Sequence, residues 1–433
     1  MTPSQRLLLE GKLISVSARS RWSFWGAWLS TGVVLFVVVS ASVAQDETPA
    51  YEAPPVLRAA DILPPALRKS PYHTVADPVS TDGHFYHFTL RSRYGRYDVV
   101  SLEMLKVRVH EVSILDRAVE LKNEYEFLNA AGERIEATGE ALVRTVVHPV
   151  ETVKAVGQGL GERFAALGRL FKGRKRSKRR DSFVKEILLA KHKRKVADEL
   201  NVDVYSSNPQ IQDLLNSIAT QRAAGQATVN LGAIFIPGAV GIVVSLGKFS
   251  ATMNSLLRDK SPGELADINE EKLEWMGVGQ ELLDRFINHP EYSPRHQTFL
   301  VGALEQLSGV GNRGAVIEAA LHATDEASAL SYQKTAEMLA SYHLKEARIH
   351  RLGIAAGMPV AYTVDGTTLV AAPSDYVLWD AETESAIHAV GKVGHQPPTH
   401  RRVFVTAGRL SPRARQGYRA WGYLTREGYR VSL

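Results

Sequence analysis

The chain has 433 residues, of which 45% are apolar and 23% charged, with a formal charge of +6 at neutral pH. That length and mix leave room for two or three domains with sizeable cores, and exclude wholesale disorder, a collagen repeat and a polytopic membrane bundle. Because there is no cysteine, thiol nucleophiles, disulfide frameworks, iron–sulfur clusters and cysteine-ligated zinc are excluded too.

The N-terminus reads as a targeting segment. Arg6, Lys12, Arg19 and Arg21 precede an uncharged stretch from Trp22 to Ala44, and Ser42 and Ala44 stand at the −3 and −1 positions of a cut before Gln45. A signal peptide over residues 1–44 is expected, with export to the periplasm or cell envelope. The alternative is an uncleaved anchor, since the stretch is long enough to span a bilayer and Trp22, Trp25 and Trp28 sit where interfacial aromatics would. Cleavage lowers the formal charge from +6 to +3.

Residues 45–80 carry seven prolines and no sustained periodicity, so an extended arm is expected, with one turn at Asp61-Ile62-Leu63. Residues 81–135 read as a hairpin and a helix: His84 to Leu90 and Tyr97 to Val100 are β-rich around Arg93-Tyr94-Gly95, and from Leu102 the apolar residues Leu105, Val109 and Val112 recur at helical spacing. Residues 136–200 form a basic helical and loop segment. Within it, 161–200 hold fourteen Lys or Arg against five Asp or Glu, so the basicity of the chain is local. Phe164, Leu167, Leu170 and Phe171 lead an apolar stripe into its densest part, Lys172-Gly173-Arg174-Lys175-Arg176-Ser177-Lys178-Arg179-Arg180.

Residues 201–352 read as a helical domain. Asn208-Pro209, Ser261-Pro262 and Ser293-Pro294 each place a capping side chain before a proline at the first helical position, and Ser411-Pro412 repeats the device further on. Ser261 and Glu264 make a capping box. The expected helices cover 209–224, 262–275, 278–288, 294–307, 314–323 and 327–350, with an apolar, glycine-rich stretch at 228–247. Residues 353–433 read as a small α/β domain: a tight hairpin around Asp365-Gly366, strands at 376–379 and 403–406, a helix over 412–426 and a last strand at 429–432. The fold class is therefore α+β, predominantly helical.

Six strings, Ile62-Leu63-Pro64-Pro65-Ala66-Leu67, Tyr94-Gly95-Arg96-Tyr97, His148-Pro149-Val150-Glu151-Thr152-Val153, Val204-Tyr205-Ser206-Ser207-Asn208, Tyr292-Ser293-Pro294-Arg295-His296-Gln297-Thr298 and Gly309-Val310-Gly311-Asn312-Arg313, give the chain a likeness to a known group. It resembles a family of signal-peptide-bearing exported bacterial proteins with no known activity. The resemblance implies export and no chemistry.

Chemical motifs are few. Gly309 to Gly314 matches G-x-G-x-x-G, but a helical pattern precedes it where dinucleotide binding needs a strand, so a turn between two helices is expected. Ser245-Leu246-Gly247-Lys248 matches S-x-x-K without the partner motifs of penicillin-recognising enzymes. His343 and His350 are seven apart, without the tight spacing of metal ligands. No metal and no cofactor are expected. The loop Asp203-Tyr205-Ser206-Ser207-Asn208 has the hydroxyls and acid to hold a polar ligand, although capping accounts for Asn208.

Two features have a physical consequence. The charge-free stretch 228–247 could touch lipid through Ile234, Phe235, Ile236, Val240, Ile242, Val243 and Val244, but Pro237-Gly238 interrupts it and favours two short core helices. The run Lys172, Arg174, Lys175, Arg176, Lys178, Arg179 and Arg180 suits an anionic membrane surface. Nucleic acid would attract the run equally in electrostatic terms, but with export and no stacking module it is not expected as a partner. The expected function is that of a non-enzymatic envelope protein associated with a membrane surface or a protein partner. The alternatives are an envelope hydrolase using Asp375, Asp380 and the strand end at Thr406, or a membrane-inserting effector.

Overall fold

Pro64 and Pro65 divide the start of the folded chain into two one-turn helices, α1 (Ala59–Ile62) and α2 (Pro65–Arg68), the second opened by a proline that needs no amide partner. The computed structural model describes residues 51–130, 180–224, 248–392 and 401–433. After α2 come three antiparallel strands in sequential order, β1 (His73–Thr81), β2 (Tyr86–Ser92) and β3 (Gly95–Val100). β1 corrects the expectation of an extended arm over 45–80. Its alternation is hidden by Pro78, which lies where the pairing with β2 slips between Ala76 and Ser80, a place where a missing N–H costs no ladder bond.

Helix α3 (Leu102–Ala130) follows at once and lays Leu105, Val109, Val112 and Leu115 into a core shared with Val75, Val79, Phe88, Leu90 and Val99. This is the spacing expected from the sequence. Helix α4 (Arg180–Glu199) contributes Val196 and Ala197 to the same core, and α5 (Pro209–Ala223) adds Ile211, Leu214, Leu215 and Ile218.

Six helices then surround a second core: α6 (Lys248–Asp259), α7 (Pro262–Trp275), α8 (Gln280–Ile287), α9 (Pro294–Glu305), α10 (Gly314–Ala320) and α11 (Glu326–Lys345). The caps work as read. Asn208 accepts from the Gln210 amide, Ser293 from His296, and Ser261 forms the capping box with Glu264. Helix α11 stops earlier than expected, because Ile349 already belongs to a strand.

The C-terminal sheet has the order β10-β8-β6-β5-β4, from β4 (Ile349–Ala355), β5 (Met358–Thr363), β6 (Thr367–Ala372), β8 (Arg401–Thr406) and β10 (Tyr423–Arg426). Strands β4, β5 and β6 pair antiparallel, and β6, β8 and β10 pair parallel through helices α12 (Ala381–Lys392) and α13 (Pro412–Ala420). A two-residue parallel pair, β7 (Tyr376–Val377) and β9 (Arg409–Leu410), joins the loops between them. The helix expected over 412–426 ends at Ala420; Gly422, at φ +75, turns the chain into β10, and no strand forms over 429–432.

Period-two alternation decides which core each sheet residue joins. Ala361, Leu369, Ala371, Val403 and Val405 face the helices, whereas Val360, Val370 and Phe404 form a third core with Trp379, Ile387, Ala414 and Tyr418 of the other layer. The Gly309–Gly314 turn joins α9 to α10 as expected, and it also shields the sheet edge: the Gly311 amide donates to His350 O at 2.9 Å and Gly311 O accepts from Leu352 N at 2.9 Å. The molecule is a mixed α+β protein. Among the described residues no helix is long and apolar enough to cross a membrane.

Candidate functional site

In a parallel sheet, ligands gather at the carboxyl ends of the strands, where the following helices begin. Here that rim is formed by the residues after Ala372, Thr406 and Arg426. Two of the three sequence-predicted residues meet there. Thr406 Oγ1 donates to Ser374 O at 3.0 Å, and the amides of Gly408 and Arg409 donate to Ser374 O and Asp375 O at 2.8 and 3.1 Å. The fit is close enough that a Cβ on Gly408 would lie 1.9 Å from Asp375 O. Glycine is therefore required at that position by contact.

The Asp375 side chain points away from this rim, towards the N-terminal strands. Its Oδ2 accepts from the amides of Tyr86 at 3.1 Å and Leu102 at 2.8 Å, and so pins β2 and the start of α3 to the C-terminal sheet. Burial pushes this carboxyl up to about 7 against the two amides, which favour the charged form. Asp380 caps α12, its Oδ1 accepting from Thr383 N at 2.7 Å. All three residues are thus engaged in holding backbone.

A carboxylate that the sequence reading missed enters the same region from the arm. Glu52 Oε2 accepts from Trp379 N at 2.7 Å and from the Ser411 hydroxyl, while the Glu52 amide donates to Trp379 O at 2.8 Å. Trp379 precedes α12 by two residues and Ser411 caps α13. Glu52 therefore sits where two helices begin, and their dipoles favour an anion there. Tyr51 adds a hydrogen bond from its hydroxyl to Glu384 Oε2 at 2.9 Å. Only the capping role of Ser411 was legible beforehand.

The second polar centre lies around the loop 203–208. Arg108, buried on α3, donates to Glu111 at 2.8 Å, to Ser206 Oγ at 3.2 Å, to Ser207 Oγ and to Glu326 at 3.1 Å. The hydroxyls of Ser206 and Ser207 donate hydrogen bonds to Glu111 and Glu326, and Asn208 Nδ2 donates to Glu111 at 3.1 Å. The loop's serine hydroxyls are therefore spent on two carboxylates. Burial raises Asp203 despite Arg295 at 3.9 Å. Burial, with Arg295 and Lys334 alongside, pushes His296 down to about 3, and its buried Nδ1 has no hydrogen-bond partner. The sequence strings around Ser206 and His296 thus meet in one seam where α3, α9 and α11 converge.

Other candidates resolve differently. His343 accepts from the Ile349 amide at 3.0 Å through Nδ1, which ties the end of α11 to β4, and among the described residues no group of three His, Asp or Glu could hold a metal ion. Lys172, Arg174, Lys175, Arg176, Lys178 and Arg179 lie outside the described residues, as do Ile234, Phe235, Ile236, Val240, Ile242, Val243, Val244 and the segment 1–44. Arg180 is the first residue of α4. Comparison with protein-family models, curated proteins and solved structures finds no match to this chain.

Proposed function

We propose that this is an exported, non-enzymatic protein of the cell envelope, cleaved after Ala44 and held at an anionic membrane face through residues 164–180. Its finer layout is an N-terminal strand-and-helix part, a central helical domain and a C-terminal α/β part. The observation that carries the reading is the continuity in sequence of the basic run with α4, whose far end is buried through Val196 and Ala197, with Leu200 buried just beyond it. Charges that continue directly into an anchored helix hold the folded body close to whatever they bind. The engagement of Asp375, Asp380 and Thr406 with backbone groups favours an interaction role over a hydrolytic one.

The test uses the mature chain and vesicles of phosphatidylcholine with and without phosphatidylglycerol. Near an anionic surface each Lys or Arg contributes about 1 kcal/mol. Neutralising Lys175, Arg176, Lys178, Arg179 and Arg180 together is expected to abolish salt-sensitive binding to the anionic vesicles. Unchanged binding would overturn the proposal.

A further inference from the structure

Between the arm and the C-terminal sheet the chain binds one of its own carboxylates as if it were a ligand. Three hydrogen bonds converge on Glu52: Trp379 N and Ser411 Oγ donate to its carboxylate, and its own amide donates to Trp379 O. The receptor atoms stand at the starts of α12 and α13, at the carboxyl end of parallel strands, where α/β sheets take anionic ligands. Apart from these bonds and that of the Tyr51 hydroxyl to Glu384, the segment that carries the ligand has few ties to the body. Residues 51–56 hold no secondary structure, Tyr51 is 41% and Val56 75% exposed, and the next backbone pairing is the bridge of Leu57 to Val79. Pro54 and Pro55 stiffen the link between Glu52 and that bridge.

We propose that the backbone of Trp379 and the hydroxyl of Ser411 form a binding site for an acidic peptide segment, filled at rest by Tyr51-Glu52 of the same chain and open to the same segment of a second copy when the arm lifts. Tethering decides which arm occupies it. A short linker gives the chain's own arm an effective concentration in the millimolar range, so a separate peptide competes only when that arm is weakened. The ligand class follows from the contacts: a glutamate preceded by a tyrosine, with a free backbone amide to meet Trp379 O. The site is independent of the membrane-binding reading.

The experiment titrates a synthetic peptide of residues 49–57 into the full mature chain and its Glu52→Ala variant by calorimetry, with a Gln-for-Glu peptide as control. The variant is expected to bind the peptide at least tenfold more tightly than the wild type, and the control peptide is expected not to bind. A folded variant that ignores the peptide, or that binds both peptides alike, would overturn the proposal. Hydrogen exchange on the wild type gives a reading that needs no variant: the amides of Glu52 and Trp379 should exchange well ahead of those within β8, and exchange at the same rate would count equally against it.

Discussion

At the scale of single residues, burial is the main force on Asp375. It lifts the carboxyl from 3.8 to about 7, Glu103 adds to the lift, and the amides of Tyr86 and Leu102 together with Lys106 oppose it. Between those two values the folded chain keeps a proton that the unfolded chain has lost. Stability therefore falls as pH rises from about 4 to about 7 and is level above, with a ceiling of about 4 kcal/mol for this group. Asp375→Asn retains an acceptor oxygen for both amides and carries no charge. Urea titrations should find the variant more stable than wild type at pH 8 by more than ~1 kcal/mol, with no gain at pH 4; parallel pH profiles would discard the argument. Arg108 presents the opposite case, a buried cation already matched. Arg108→Met would leave Glu111 buried beside Ser206 and Asn208 without its cation, a loss of about 3–5 kcal/mol, to be read as a shifted denaturation midpoint with an unchanged slope.

At the scale of elements, two glycines separate contact from conformation. Gly277 lies at φ +78 with nothing within 4 Å of an added Cβ, whereas an added Cβ on Gly408 meets Asp375 O at 1.9 Å. Gly277→Ala should cost about 1–2 kcal/mol, the strain of a left-handed residue. Gly408→Ala should cost clearly more, because the loops between β6 and β9 must part, and equal melting shifts for the two variants would refute the distinction. The helices that were legible in the sequence begin with capping residues and proline, as at Ser261-Pro262 and Ser293-Pro294, where the signal is local. The elements that were not legible lack that paired cap-and-proline signal or rest on neighbours elsewhere in the chain. β1 hides its alternation behind Pro78, α12 opens on Asp380, which carries no proline signal, and β10 forms because Arg402 to Val405 are already paired with β6. The candidate site divides in the same way. Asp375 and Thr406 could be placed at strand ends from pattern alone, but Glu52 comes from an arm without periodicity, and its partner Trp379 lies 327 residues further on.

At the scale of the molecule, the C-terminal sheet is the shared wall of two cores. Leu352, Ala361, Leu369, Ala371, Val403 and Val405 face the helices α6 to α11, and every one of them is at most 5% exposed. Cut away from those helices, this face would return to water. A large buried aliphatic side chain contributes about 1.5–3 kcal/mol and an alanine less, so the six together account for several kcal/mol. A whole domain is stable by only about 5–15 kcal/mol. The fragment 349–433 would also lose the Asp375 bonds to Tyr86 and Leu102 and the Glu52 bonds to Trp379 and Ser411. Expressed alone, it is therefore expected to lack a fixed tertiary structure, with weak near-ultraviolet circular dichroism from Trp379 and Trp421 and binding of a hydrophobic dye. Within the intact chain the same aromatic signal should be lost in one transition that coincides with the loss of helical signal. A fragment that melts cooperatively on its own, or a chain whose two signals separate, would show that the sheet is stable without the helices it covers.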